Sequence, residues 1–123
     1  MGLRVLIVDD EALVGNALAR VLKAYGHAVD AHTRPAVALT SFAGFAPQIV
    51  LSDLHMPEMR GTDFLLEVKR RHPEVLRALV SGFLDDVTEE ELAAIEPCAL
   101  ITKPWSEAAL RAALQPGEAA PNK

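Results

Sequence analysis

The chain has 123 residues, room for one hydrophobic core and not for two. Half of its residues are hydrophobic and 24% are charged, a balance that excludes a disordered or fibrous chain. With 17 acidic against 12 basic residues and a net charge of -5, no basic surface is available to a phosphate backbone, so direct nucleic-acid binding is not expected.

Met1-Gly2-Leu3-Arg4 opens a short apolar run with no cleavage-site pattern, too short to span a bilayer, so neither a targeting segment nor a membrane partner is expected. Residues 3–8, β-branched at Val5, Ile7 and Val8 and stopped by Asp9 and Asp10, read as a strand buried on both faces. Residues 11–25 place Leu13, Ala17, Val21 and Tyr25 on one helical stripe, widened by Val14, Leu18 and Leu22, and Gly26 ends the helix. A weak strand over 28–32 precedes a poorer helix over 35–45, and a strong strand follows over 48–52. The turn Met56, Pro57, Met59 and Gly61, where Gly61 is free to take positive φ, leads to a helix over 62–72. That helix turns Phe64, Leu65 and Val68 inward and is closed by Pro73. Strands over 75–81 and 98–102 alternate with helices over 88–95 and 106–114. The first of these helices opens on Glu89, Glu90 and Glu91, and the second is capped by Ser106 with Glu107 behind it.

Cys98, the one cysteine, excludes an internal disulfide and fits a reducing cytoplasm; its apolar neighbours make it a small packed hydrophobe rather than a nucleophile. Phe42, Phe45 and Trp105 read as packing residues. His27, His32 and His72 have no ligand-spaced partners. Residues 1–115 are expected to form one domain, and 116–123, with Pro116 and Pro121, a linker or tail.

Strand followed by helix, five times over, implies a doubly wound parallel sheet with helices on both faces and ligands at the carboxyl ends of its strands. Asp9 and Asp10 end the first strand and Asp53 the third, so three carboxylates converge at that edge. Ser81 and Lys103 end the fourth and fifth strands and reach the same place. As single residues these are ordinary turn, cap and surface positions; as a set they suit phosphoryl transfer, which needs positioning and charge neutralisation. Asp53 is the expected nucleophile. Mg²⁺, a hard ion content with a few carboxylates and phosphate oxygens, fits Asp10 and Asp53, with Asp9 acting directly or through water. Lys103 pairs with Asp53 and then with the phosphate, and Ser81 offers a hydroxyl.

At this point the chain resembles the receiver domains of bacterial two-component response regulators. The resemblance rests on Val8-Asp9-Asp10-Glu11, on Leu51-Ser52-Asp53-Leu54-His55-Met56-Pro57 with Gly61, on Ser81-Gly82 and on Lys103-Pro104-Trp105, in the family's order. It implies a flavodoxin-like fold of five strands flanked by five helices, and a metal shell of Asp10, Asp53 and the backbone carbonyl of His55. It also implies a cis Lys103-Pro104 bond and phosphotransfer from a sensor histidine kinase or phosphotransfer protein. The output would be an effector domain, or a homodimer formed through the fourth and fifth helices. The chain would catalyse its own phosphorylation and slow self-dephosphorylation rather than turn over a substrate. The local motifs look like those of receivers joined to HD-GYP phosphodiesterases or to histidine kinases.

Two features depart from that pattern. Leu100 stands where receivers commonly carry Tyr or Phe; leucine can fill a pocket but lacks the ring that reports the switch. The link Ile95-Glu96-Pro97-Cys98 is short and would reshape the surface that partners read. His55 and Phe83 flank the acceptor and could shield an acyl phosphate; as a lone histidine among carboxylates, His55 reads as a surface residue rather than a side-chain ligand. Two other functions share these residues. A phosphate-independent docking module would be expected to lose a member of the set, and all are present. A Mg²⁺-dependent aspartyl-phosphate hydrolase usually places its nucleophile after the first strand with an Asp two residues on, where this chain has Glu11.

Overall fold

Strand and helix alternate through residues 2–114, the part of the chain that the computed structural model describes. In chain order the elements are β1 (Arg4–Val8), α1 (Ala12–Ala24), β2 (Ala28–His32), α2 (Pro35–Thr40), α3 (Phe42–Phe45), β3 (Ile49–Asp53) and α4 (Gly61–Arg71). Then follow β4 (Leu76–Ser81), a 3₁₀ turn (Leu84–Asp86), α5 (Glu89–Ile95), β5 (Ala99–Thr102) and α6 (Glu107–Leu114). The strands form one sheet in the order β2-β1-β3-β4-β5, every neighbouring pair parallel. The chain reverses its direction of travel between β1 and β3, which opens a crevice at their carboxyl ends.

Successive residues of a strand face opposite ways, and this divides the core in two. Val5, Ile7, Leu51 and Val80 pack with Leu18 and Leu22 of α1 and Leu110 of α6. Leu6, Val8, Val50 and Leu79 pack with Phe42 of α3, Phe64, Leu65 and Val68 of α4 and Ile95 of α5. The unbroken apolar run of β1 is the consequence: both of its faces are covered. Phe45 and Trp105 pack at the margins of the two clusters.

Three local readings of the sequence change. The run 35–45 is two helices, which makes six among the described residues; Ser41 stands between the two, and its hydroxyl donates to Asp30 of β2 at 2.5 Å. The stripe of α1 is rotated from the expected one. Gly15, Leu18, Ala19 and Leu22 are buried, while Leu13 is 85% exposed. Gly15 faces the site: a Cβ there would stand 3.6 Å from that of Asp9, an ordinary contact. Gly61 does not take positive φ, which among the described glycines only Gly26 does. It is needed for proximity, because a Cβ there would collide with the carbonyl oxygen of Asp53.

The short link after α5 is held from inside. Buried Arg77 of β4 donates to the carbonyls of Ile95 (3.1 Å), Pro97 (3.2 Å) and Val75 (3.0 Å), and Lys69 donates to Ala94 at 3.1 Å. These acceptors include carbonyls that a helix C-terminus leaves without partners. The Lys103-Pro104 bond is cis as expected, and so is Glu96-Pro97. The proposed tail, 116–123, lies outside the described residues. No described helix is long and apolar enough to cross a membrane.

Candidate functional site

Strand alternation splits the Asp9-Asp10 doublet. Asp9 turns inward and is 5% exposed, whereas Asp10 faces solvent. One oxygen of Asp9 accepts from the Glu11 backbone N–H at 2.9 Å, fixing the entry to α1; the other accepts from Lys103 Nζ at 2.8 Å. Asp53, last residue of β3, accepts from its neighbour Leu54 N–H at 2.9 Å and from Lys103 Nζ at 3.2 Å through Oδ1. Oxygens of Asp9, Asp10 and Asp53 lie within 4.8 Å of one another. The structure therefore brings together four of the expected residues, and gives Lys103 a role that the sequence did not show: it bridges Asp9 and Asp53.

Burial, and then the charge of Asp9, push the Asp53 carboxyl above its ordinary pKa, against the opposing pull of Lys103. Burial alone would depress Lys103. The hydrogen bond and charge of Asp9, with the charge of Asp53, override it and hold the ammonium above the usual lysine value. Three carboxylates against one ammonium leave the pocket short of positive charge. Hard oxygen donors with that deficit, one of them open to solvent, fit a small divalent cation such as Mg²⁺.

Ser81 ends β4 beside β5, opposite Thr102, and its carbonyl accepts from Lys103 N–H at 2.9 Å. Its hydroxyl oxygen accepts from Phe83 N–H at 2.9 Å. The His55 side chain stays out of the carboxylate cluster. Its Nε2 lies 3.0 Å from Asp86 Oδ2, and its ring meets the Phe83 ring edge-on with centroids 6.0 Å apart. Leu100 fills no pocket: it is 44% exposed on β5.

The sequence reading missed a second polar cluster beside the site. Arg60, which precedes α4, donates to Glu91 of α5 through Nε (2.7 Å) and Nη2 (3.2 Å), and to the Asp86 carbonyl at 2.5 Å. Thr62 donates to the same carboxylate at 2.8 Å. Glu91 also closes a reciprocal cap with Thr88. The arginine hydrogen bond, then the cap, hold its carboxyl down at about 2. Only the cap was readable, as Thr88 three residues before Glu91; the Arg60 contact joins residues 31 apart.

A doubly wound parallel sheet with an acidic pocket at its switch point defines a class of signalling domain that comparison with known proteins names. The chain matches the model of the response regulator receiver domain over residues 5–115, and it belongs to that family. It is 32% identical over 106 residues to a protein-glutamate methylesterase/protein-glutamine glutaminase of Treponema denticola, covering 83% of this chain and 28% of that protein. To the sensor kinase CckA of Brucella abortus it is 34% identical over 104 residues, covering 83% of this chain and 11% of the kinase. The chain thus spans under a third of the length of these relatives. Among solved structures it is similar to the chemotaxis protein CheY4 of Vibrio cholerae (TM-score 0.85, 21% identity, 94% and 98% of the two chains). It is also similar to the signal receiver domain of an HD domain-containing protein of Pseudomonas fluorescens (TM-score 0.80, 23% identity, 94% of each chain). The flavodoxin-like architecture and the place of the chain in two-component signalling follow from this membership.

Proposed function

We propose that Asp53 accepts a phosphoryl group from a phosphohistidine on a sensor histidine kinase or phosphotransfer protein, and that the acyl phosphate switches an interaction surface. The observation that carries this reading is the pocket's charge arrangement, with Lys103 shared by Asp53 and Asp9 and with Asp10 beside them. An Asp53 oxygen forms the new bond to phosphorus while the P–N bond breaks, its electrons returning to the imidazole. Asp10 and Asp53, with the His55 backbone carbonyl and Asp9 directly or through water, would hold Mg²⁺, which when bound offsets charge on the phosphoryl oxygens. Lys103 moves from carboxylate to phosphate as the charge shifts. Ser81 gives up its contact with Phe83 and donates its hydroxyl to a phosphate oxygen. We infer that His55 and Phe83, two residues after Asp53 and Ser81 in the sequence, screen the product from water and make self-dephosphorylation slow; loss of the phosphate within seconds would overturn that part.

The functional unit is residues 1–115, and the output lies in a joined effector, a separate partner or a second copy paired through α5 and α6. Stretches matching this domain occur in proteins with names as different as a methylesterase and a sensor kinase, which supports an input module separable from its output. The docking-only alternative is disfavoured because no acceptor residue is missing. The test is incubation with Mg²⁺ and acetyl phosphate followed by intact-mass measurement. One phosphoryl group is expected on the native chain and none on Asp53→Ala; equal labelling of both would refute the assignment.

A further inference from the structure

The exposed Leu100 leaves open how the pocket reaches the α5 surface, and the hydrogen bonds around Arg60 supply a continuous path. Ser81 Oγ accepts from Phe83 N–H (2.9 Å). The Phe83 carbonyl accepts from Asp86 N–H (3.0 Å) across the 3₁₀ turn. The Asp86 carbonyl accepts from Arg60 (2.5 Å), Arg60 binds Glu91 (2.7 Å), and Glu91 accepts from Thr88 N–H at the start of α5 (2.9 Å).

We propose that Arg60 and Glu91 form a releasable clasp that couples the acceptor pocket to the N-terminal end of α5, with Arg77 as the fixed anchor at the other end. The proposal rests on the acceptor reading above. A phosphoryl group adds charge and three strong acceptor oxygens. Once the Ser81 hydroxyl turns to one of them, Phe83 N–H loses its partner and the 3₁₀ turn shifts. The Asp86 carbonyl then leaves the arc in which Arg60 can bind it and Glu91 together. His55, paired with Asp86 through its side chain, ties the same turn to the loop after Asp53, so both sides of the pocket act on one junction. The C-terminal end does not share this path, because the Arg77 donors go to backbone carbonyls that no step in the pocket touches. Helix α5 therefore opens from its Thr88 end.

The test is amide hydrogen exchange of α5 in the full chain with Mg²⁺, with and without saturating beryllofluoride, and binding followed by fluorescence of the single Trp105. In the native chain the ligand is expected to speed exchange in the first turn of α5 by at least about 5-fold, the lower end of ordinary coupling between sites, and to leave Ile95 unchanged. Arg60→Met should still bind beryllofluoride, more tightly than native by no more than the coupling factor that the clasp supplied, yet exchange at the released rate before any ligand is added. Glu91→Gln keeps a side chain able to close the Thr88 cap and removes only the charge, so it separates loss of the clasp from loss of the helix; it should behave as Arg60→Met does. A native-sized response at α5 in either variant would overturn the clasp. So would an equal response at both ends of α5 in the native chain. Failure of the native chain to bind beryllofluoride would instead strike the acceptor reading.

Discussion

The two edges of the sheet treat their charges differently. At the amino edge, Arg4 donates to the Ala46 carbonyl at 2.7 Å and Arg77 to three further carbonyls, so each guanidinium is met by neutral dipoles and the local chemistry is closed. At the carboxyl edge, Lys103 is shared by two carboxylates and a third, Asp10, stands beside them. A cation satisfied by backbone is part of the scaffold; a cation divided among too many anions leaves work for an incoming group. The contrast separates structure from site without reference to any relative.

Breaking the carboxyl edge should have the largest effect. Lys103→Met is expected to slow phosphorylation of Asp53 about 100-fold, the usual cost of removing one preorganised partner of a developing charge; single-turnover labelling that fell less than about 10-fold would make Lys103 a bystander. Arg77→Met attacks the amino edge and should act on folding instead. Three carbonyls lose donors in a buried setting, a loss of about 2–4 kcal/mol in urea unfolding, while the chain that remains folded is still labelled by acetyl phosphate.

Glu91 gives a smaller effect with a defined pH signature. Its carboxyl is held at about 2, well below the ordinary 4.5, so the stability it contributes is present above that ordinary value and is lost as pH falls towards 2. Glu91→Gln should flatten this part of the acid-unfolding profile; an unchanged profile would deny the Arg60 contact its thermodynamic weight. Smallest of all is the signature of Cys98, whose thiol burial pushes up to about 11 from 9.0. An unfolded chain ionises it first, so stability should decline as pH rises from about 9 towards 11. Cys98→Ala should remove that slope, and the native thiol should react slowly with a thiolate-seeking reagent at neutral pH.

The alternation of strand and helix, the two-sided burial of β1 and the meeting of Asp9, Asp10, Asp53 and Lys103 at one edge were legible because each follows from local period and from where a strand stops, whereas the strand order was implied only by the family resemblance. What the sequence hid depends on contacts between distant segments. Ser41, between two short helices, meets Asp30 of β2, and Gly61 is small because Asp53 lies against it. Neither contact is written in the local sequence. Arg60 carries no local signal and Glu91 looked like one acid among three; only the fold sets them together. For α1, two apolar stripes compete, and only packing against the sheet selects the one with Gly15, Leu18, Ala19 and Leu22.

The division of the core by the sheet has a further consequence. Residues of α1 and α6 touch one set of strand side chains, and α3, α4 and α5 the other, so the helices on opposite sides share only backbone. Substitutions that remodel the α1 side can accumulate without repacking the α5 side. In energetics the sheet is a partition between two walls that repack separately, and a surface built from α5 and α6 draws on both.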